Sequence, residues 1–272
     1  MTANEILVAV LVGITQGIVE WLPISSQGNV SIVVTLVTDI NPVVAVDLAL
    51  FVQLGTVLSA ATYYREDITT TLTAAPDWHP RTAYSDDNAE LSFIFVASAA
   101  TGVVGIPLYL TLREAVSGLA GGLFIALIGV LLIGTGVLQY LSSGVDLGRK
   151  GTPTLMDSLI VGGLQGLTIL PGVSRSGTTV SALLFRGYAG SASLRLSFLL
   201  SIPASLGAAT LVLVSDGLPG IALQPALVAL AVSAIVGFLA IDALMRIVEH
   251  VPFSAVCIGL GMLAVVGRIV IF

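Results

Sequence analysis

The sequence predicts an all-α polytopic membrane protein with six transmembrane helices and two re-entrant helical hairpins in an inverted-topology repeat. Three observations carry that expectation. The first is composition: over 272 residues, 56% are hydrophobic and only 10% charged, and the mean hydropathy is +1.04. A soluble domain so composed has too little polar surface to stay dissolved. The second is that the apolar segments come in two sizes, some long enough for the roughly 20 residues that a crossing needs and some too short and broken by proline or glycine. The third is that the two halves repeat this layout.

Taken in order, residues 6–19 form an uncharged run too short to cross, broken at Pro23 within WLPISSQGN, and residues 29–38 form a short return. The pair reads as a segment that enters the membrane, turns and leaves. Residues 43–64 are long enough to span and carry Asp47 near their start; residues 65–90 are the main polar loop. Spans follow at 91–112 and, after Arg113 and Glu114, at 119–141, and a second loop holds Arg149 and Lys150. The second half repeats the pattern: a short run at 158–170, a break at Pro171 and Gly172, and a short return at 178–185. Spans at 196–214, 224–241 and 251–271 complete the chain, the last holding Arg268.

The halves also share residues. Gln16-Gly17 precedes Leu22-Pro23-Ile24-Ser25-Ser26-Gln27-Gly28, and Gln165-Gly166 precedes Leu170-Pro171-Gly172-Val173-Ser174-Arg175-Ser176-Gly177, with the same distance from glutamine to final glycine. Segments 51–62 and 198–210 both begin with phenylalanine and end Ala-Ala-Thr. This defines one membrane domain over 1–272, with a first repeat at about 1–141 and a second at about 155–272. If each hairpin returns to its own side, the two enter from opposite faces, and paired broken segments of this kind point to a binding site at the midplane. On that layout Arg65, Arg81, Arg149, Lys150, Arg186, Arg195 and Arg246 share one face, while Arg113 and Arg268 lie toward the other. Basic residues favour the cytoplasm, so both termini are expected outside.

Other features exclude more than they establish. The start, MTANEI, has no basic region and does not read as a cleaved signal peptide. A single cysteine, Cys257, leaves no internal disulfide and reads as a small apolar core residue. The net charge of −6 argues against nucleic acid as a partner.

The chemistry concentrates on the two breaks. Non-helical backbone at membrane depth needs protein or a wet cavity around it, so two breaks meeting head to head enclose a polar chamber. Residues 162–179, GGLQGLTILPGVSRSGTT, place an arginine among hydroxyls and glycines. Arg175 suits paired, charge-assisted bonds to phosphate oxygens; Ser174, Ser176 and Thr179 add donors, and glycine-rich helix starts such as Gly177 present amides to an anion. An uncompensated arginine in the bilayer costs about 2.5–3.5 kcal/mol, so its counter-charge is either a bound phosphate or a carboxylate, Glu20 or Asp47. On the first hairpin, Gln16 and Glu20 share a helical face a turn before Ser25 and Ser26. Glu20 suits a general base toward Ser26 or a water, or a ligand to a divalent cation. Asp47 and Asp242 read as span-end residues, and His79 and His250 as loop residues without a role.

The stretches GITQGIVEWLPISSQGN, DLALFVQLGTVLSAATYYRED and LPGVSRSGTT together resemble the undecaprenyl-diphosphate phosphatase family of the bacitracin-resistance type. The similarity runs through IPASLGAAT to the C-terminal span. It implies a membrane enzyme that removes the terminal phosphate of a polyprenyl diphosphate, with a divalent cation (Mg²⁺ or Ca²⁺), to regenerate the monophosphate carrier for cell-envelope glycans. It implies a homodimer of inverted repeats, and phosphate-binding positions at Ser174, Arg175, Ser176 and Thr179, with Glu20, Ser25 and Ser26 matching the first motif. The family's first glutamate falls on Gln16 and its histidine on Asn29; both positions then serve substrate binding rather than proton transfer. Two functions fit: a phosphatase using Glu20 and Ser26 against a phosphate clamped by Arg175, or a carrier that moves a polyprenyl phosphate head group by alternating access. A small-anion channel fits a tightly closed hairpin pair less well.

Overall fold

The chain stops being helical at Pro23 and at Pro171 and Gly172, whereas Pro107 and Pro203 lie inside the helices Asp86–Ser117 and Gly190–Asp216. The computed structural model describes residues 3–271 except 39, 74, 75, 77, 146, 147, 149, 249 and 250, so Arg149 and His250 lie outside the described residues. The helices are α1 (Ala3–Val19), α2 (Ser26–Val37), α3 (Pro42–Tyr63), α4 (Arg65–Thr73), α5 (Asp86–Ser117) and α6 (Gly121–Ser143) in the first half. The second half holds α7 (Leu155–Gly166), α8 (Arg175–Phe185), α9 (Gly190–Asp216), α10 (Leu223–Val248) and α11 (Phe253–Ile271). A 3₁₀ turn, Leu167–Ile169, extends α7. Among the described residues there is no strand.

Five helical stretches are long and apolar enough to cross a membrane: Pro42–Tyr63, Asn88–Ser117, Gly121–Ser143, Gly190–Ser215 and Leu223–Leu244. The expected sixth span corresponds to α11, whose apolar stretch Phe253–Arg268 is shorter, as are Asn4–Val19, Ser26–Val37 and Leu155–Ile169. Helix starts are capped as their residue types dictate. Asn41 accepts the Val43 N–H with Pro42 at the first helical position, Ser25 caps α2 and Ser174 caps α8. Thr154 and Asp157 form a reciprocal capping box at α7.

The polar stretch 65–90, expected as a loop, is helical at both ends. Glu66 and Asp67 in the first turn of α4 complement the helix dipole, and α5 begins at Asp86, ahead of the apolar run. Arg195 of α9 ties both pieces down, with Nε 2.9 Å from Asp67 and its terminal nitrogens 2.5 and 3.0 Å from Glu90. Clusters of acid with an arginine opposite fold a polar segment that hydropathy alone leaves blank.

Packing interleaves the halves. α1 lies against α10 and α7 against α5, so each leading hairpin arm rests on a helix of the other half. α3 packs on α9, and α6 on α11. The last pair crosses at Gly129 and Gly261, where an added Cβ on Gly129 would sit 2.7 Å from the Gly261 carbonyl; small residues let membrane helices approach this closely. The main core gathers Leu50, Phe51, Tyr109, Phe124, Ile128 and Leu132 from α3, α5 and α6.

The second hairpin is anchored at its base by Asp157, which is fully buried. It accepts from Lys150 at 2.6 Å, Arg186 at 2.6 Å, Thr154 N–H at 2.9 Å and Tyr188 at 2.8 Å. Burial, and then the Asp157 carboxylate, push the Tyr188 phenol far above its ordinary range, so it remains a donor at any working pH.

Candidate active site between the two hairpins

The tips of the two hairpins touch. Gly172 N–H donates to Ser25 Oγ at 3.1 Å, and Gln27 Nε2 donates to the Ile169 carbonyl at 2.9 Å. Ser25 adopts a left-handed conformation, φ 60, uncommon for a residue with a side chain, and its Oγ also caps Gly28 N–H at 3.2 Å. Gly172, at φ 105, provides the opposing turn.

α6 supplies what the broken backbone lacks. Thr135 Oγ1 donates to the Gly172 carbonyl at 3.1 Å and accepts Ser174 N–H at 3.2 Å. Gln139 Nε2 donates to the Pro23 carbonyl at 2.6 Å, which the buried Cys257 thiol also reaches at 3.2 Å. These bonds satisfy peptide groups that lipid could not.

Beside the tips lies a narrow cleft of ≈ 70 Å³ whose polar wall comes from Glu20, Ser25, Ser26, Ser174, Arg175 and Ser176, with Gln53, Thr101, Gln165 and Ser205 behind. Glu20 and Arg175, the residues whose meeting matters most, form a direct ion pair there, with side chains 5% and 18% exposed. The other carboxylate oxygen accepts Ser26 Oγ–H at 2.5 Å and Gln16 Nε2 at 2.7 Å. Arg175 Nη1 donates to the Ser201 carbonyl at 3.1 Å and to Ser205 Oγ, and Ser205 donates onward to Gln53 Oε1 at 2.9 Å. Asp47 pairs elsewhere, 3.5 Å from Arg113 and 2.8 Å from Tyr109 Oη.

Two helix N-termini, those of α2 and α8, meet this cleft through their caps Ser25 and Ser174. Their first-turn amides have no intrahelical partner, and the dipoles add positive potential. A guanidinium and two such termini suit a multiply charged anion; a hydroxyl hydrogen-bonded to a carboxylate suits proton transfer from that hydroxyl.

Some expected binding residues stand behind the cleft wall. Gln16 is fully buried and holds Glu20 rather than facing the space. Gly177 gives its N–H to Ser174 Oγ at 3.2 Å. Thr179 is fully buried, bonded to the Arg175 carbonyl at 2.9 Å and to Ser197 at 2.5 Å. Asn29 turns its amide onto the carbonyls of Ile24 and Ser25, at 2.8 and 2.9 Å, and faces a different groove. His79 lies in the exposed loop, and Asp242 accepts Tyr63 Oη at 2.5 Å, both away from the cleft.

The sequence reading missed Gln53, Thr135, Gln139 and Ser205. Their only signal is a polar side chain within a long apolar helix, which in a membrane marks an interior face.

For a metal the donor set is thin. Among the described residues no three of His, Cys, Asp and Glu gather, and the cleft's one carboxylate is already paired. Glu20 is the one carboxylate on this wall that could hold a cation, with the remaining ligands left to a substrate's phosphates.

Fold and site together define a multi-pass helical membrane protein with a polar cleft beside two helix starts. The family described as Bacitracin resistance protein BacA matches residues 9–263, and the chain belongs to that family. A relative from Haloarcula marismortui, named undecaprenyl-diphosphatase, is 53% identical over 98% of this chain and 99% of its own. Relatives of the same name from Methanococcoides burtonii and Saccharolobus solfataricus are 38% and 36% identical, covering 94% and 98% of this chain and 96% of each of their own.

Proposed function

We propose that this chain is a polyprenyl-diphosphate phosphatase of the undecaprenyl type, releasing the terminal phosphate and leaving the lipid monophosphate. The observation that carries this is the chain Ser26–Glu20–Arg175, a hydroxyl and a guanidinium on the two oxygens of one buried carboxylate. The family's relatives bear the name of a hydrolase, which favours this reading over a head-group carrier.

In this mechanism the diphosphate displaces Glu20 from Arg175 and takes the guanidinium itself, aided by the free amides at the starts of α2 and α8. Glu20, held by Gln16, accepts the proton of Ser26 or of a water beside it. Either oxygen then attacks the terminal phosphorus, the bond to the bridging oxygen breaks, and the leaving lipid monophosphate keeps the charge; a water that attacks releases phosphate directly, whereas attack by Ser26 leaves a phosphoserine, which a water deprotonated by Glu20 then hydrolyses, freeing phosphate and restoring the hydroxyl. Charge gathering on the phosphoryl oxygens is met by Arg175 and the first-turn amides, which are already in place.

A divalent cation, Mg²⁺ or Ca²⁺, enters this reading as a companion of the diphosphate. Mg²⁺ is commonly held by one carboxylate plus substrate phosphates, and Glu20 would be that ligand, the ion neutralising phosphate charge. The reading also makes α11 the sixth crossing and the pairs α1–α2 and α7–α8 re-entrant. Exchange of hairpin arms between halves supports an inverted repeat, 1–141 against 155–272. Both termini outside and assembly as a homodimer belong to the same proposal, on the basic-residue distribution and the family resemblance respectively.

The test is phosphate release by the purified protein from a polyprenyl diphosphate with Mg²⁺ or Ca²⁺. Release abolished by Glu20→Gln, Ser26→Ala and Arg175→Ala supports it. No release, with head-group movement across vesicles, would establish the carrier instead.

A further inference from the structure

A second groove, bordered by α2, α6 and α11, shares no lining residue with the cleft. Its walls are Ile32 and Leu36 of α2, Ile125 and Leu132 of α6, and Leu260 and Leu263 of α11, with two polar groups, Asn29 and Arg268. Arg268 is anomalous. Its Nε is buried with no hydrogen-bond partner, and among the described residues no acid pairs with it.

The helix geometry gives the groove a direction. Asn29 to Leu36 covers about 10 Å along α2, and Leu260 to Arg268 about 12 Å along α11, at the α-helical rise. Leu36 and Arg268 lie near the ends of their helices, whereas Asn29 sits beside the hairpin tip. An apolar channel therefore runs from the membrane surface toward mid-depth, with a cation at its outer end. Its length suits a chain occupying one leaflet, half of a hydrocarbon core of about 30 Å; a polyprenyl chain overruns it. An arginine in an apolar segment marks a site with an anionic partner by default.

We infer that the α2–α6–α11 groove is a binding site for one anionic phospholipid, its phosphodiester on Arg268 and an acyl chain along Ile32, Leu132 and Leu260. The guanidinium can donate two parallel bonds to phosphate oxygens, which supplies the missing counter-charge. Because Asn29 of the groove is one turn along α2 from Ser26, the lipid would pack against the helix that presents the hydroxyl.

The experiment is native mass spectrometry of the full chain in detergent, titrated with phosphatidylglycerol or phosphatidylcholine. One phosphatidylglycerol per chain is expected, retained at least ~10-fold better than phosphatidylcholine, about 1.4 kcal/mol. Arg268→Gln is expected to reduce retention to the phosphatidylcholine level. Gly267→Phe provides an independent block, because a Cβ at Gly267 meets nothing within 4 Å and the ring extends into the groove without displacing the fold. Equal retention of the two lipids, undiminished phosphatidylglycerol on Arg268→Gln, or preferential retention of a polyprenyl monophosphate would each overturn the assignment. Phosphate release by Arg268→Gln in lipid-free detergent is expected to stay at the wild-type level, which separates this site from the cleft.

Discussion

Gly28 and Gly172 press their backbones together at the meeting of the two hairpins: a Cβ on Gly28 would lie 2.8 Å from the Gly172 nitrogen. That same nitrogen donates to Ser25 Oγ, so the contact and the hydrogen bond rise or fall together. Gly28→Ala must separate the tips. It is expected to cost about 1–3 kcal/mol, as overpacking does, and to lower phosphate release ~10-fold or more. A melting midpoint in detergent and a turnover number check this; wild-type turnover would show that the tips need not touch.

The proposed mechanism gives Glu20 two roles that one substitution separates. Glu20→Gln removes the proton acceptor, and turnover is expected to fall about 10²–10⁴-fold. It also frees Arg175 and removes a negative charge from beside the incoming anion, so a non-hydrolysable diphosphate analogue is expected to bind at least as tightly as to wild type. Calorimetry with that analogue provides the check, and weakened binding would mean that Glu20 holds the ligand rather than yielding to it.

Arg175→Lys keeps the charge and loses the fork. Both terminal nitrogens are used even in the resting site, one on Glu20 and one on Ser201 and Ser205, and a lysine cannot reproduce that span. The expected loss is about 100-fold in kcat/KM, about 2.7 kcal/mol, with KM raised. An unchanged KM would reduce Arg175 to a structural cation.

Asp157→Asn tests the anchor of the second hairpin. It leaves Lys150 and Arg186 without their carboxylate, and removing one member of a buried pair costs about 3 kcal/mol or more. Since the two cations are 27% and 33% exposed, a loss toward the low end is expected, read as a lower melting midpoint. The residual turnover per folded molecule should remain near wild type, because the anchor does not border the cleft.

The parts of the fold that were legible in sequence are those where apolar runs begin and break. Pro23, Pro171 and Gly172 announced the hairpins, and Glu20 and Arg175 were conspicuous as charges beside those breaks. Their contact could be anticipated because isolated charges at membrane depth need compensation. α4 was invisible because its stability comes from Arg195, more than a hundred residues later. Thr135, Gln139, Gln53 and Ser205 were hidden for a related reason: a hydroxyl or amide in an apolar helix becomes meaningful only when the facing helix is known. Asn29 shows the converse. The family resemblance placed it with the site, but its amide is satisfied by the carbonyls of Ile24 and Ser25, and it borders the second groove.

The ion pair between Glu20 and Arg175 gives the empty cleft no net charge of its own. Any ligand must therefore open that pair before it gains the guanidinium, and the toll is the same for every ligand while the reward grows with anionic charge. A diphosphate clears it more readily than a monophosphate. On the proposed mechanism, loss of the terminal phosphate would let the acid regain its hold on the base, so that the cleft resets by ejecting what it has made.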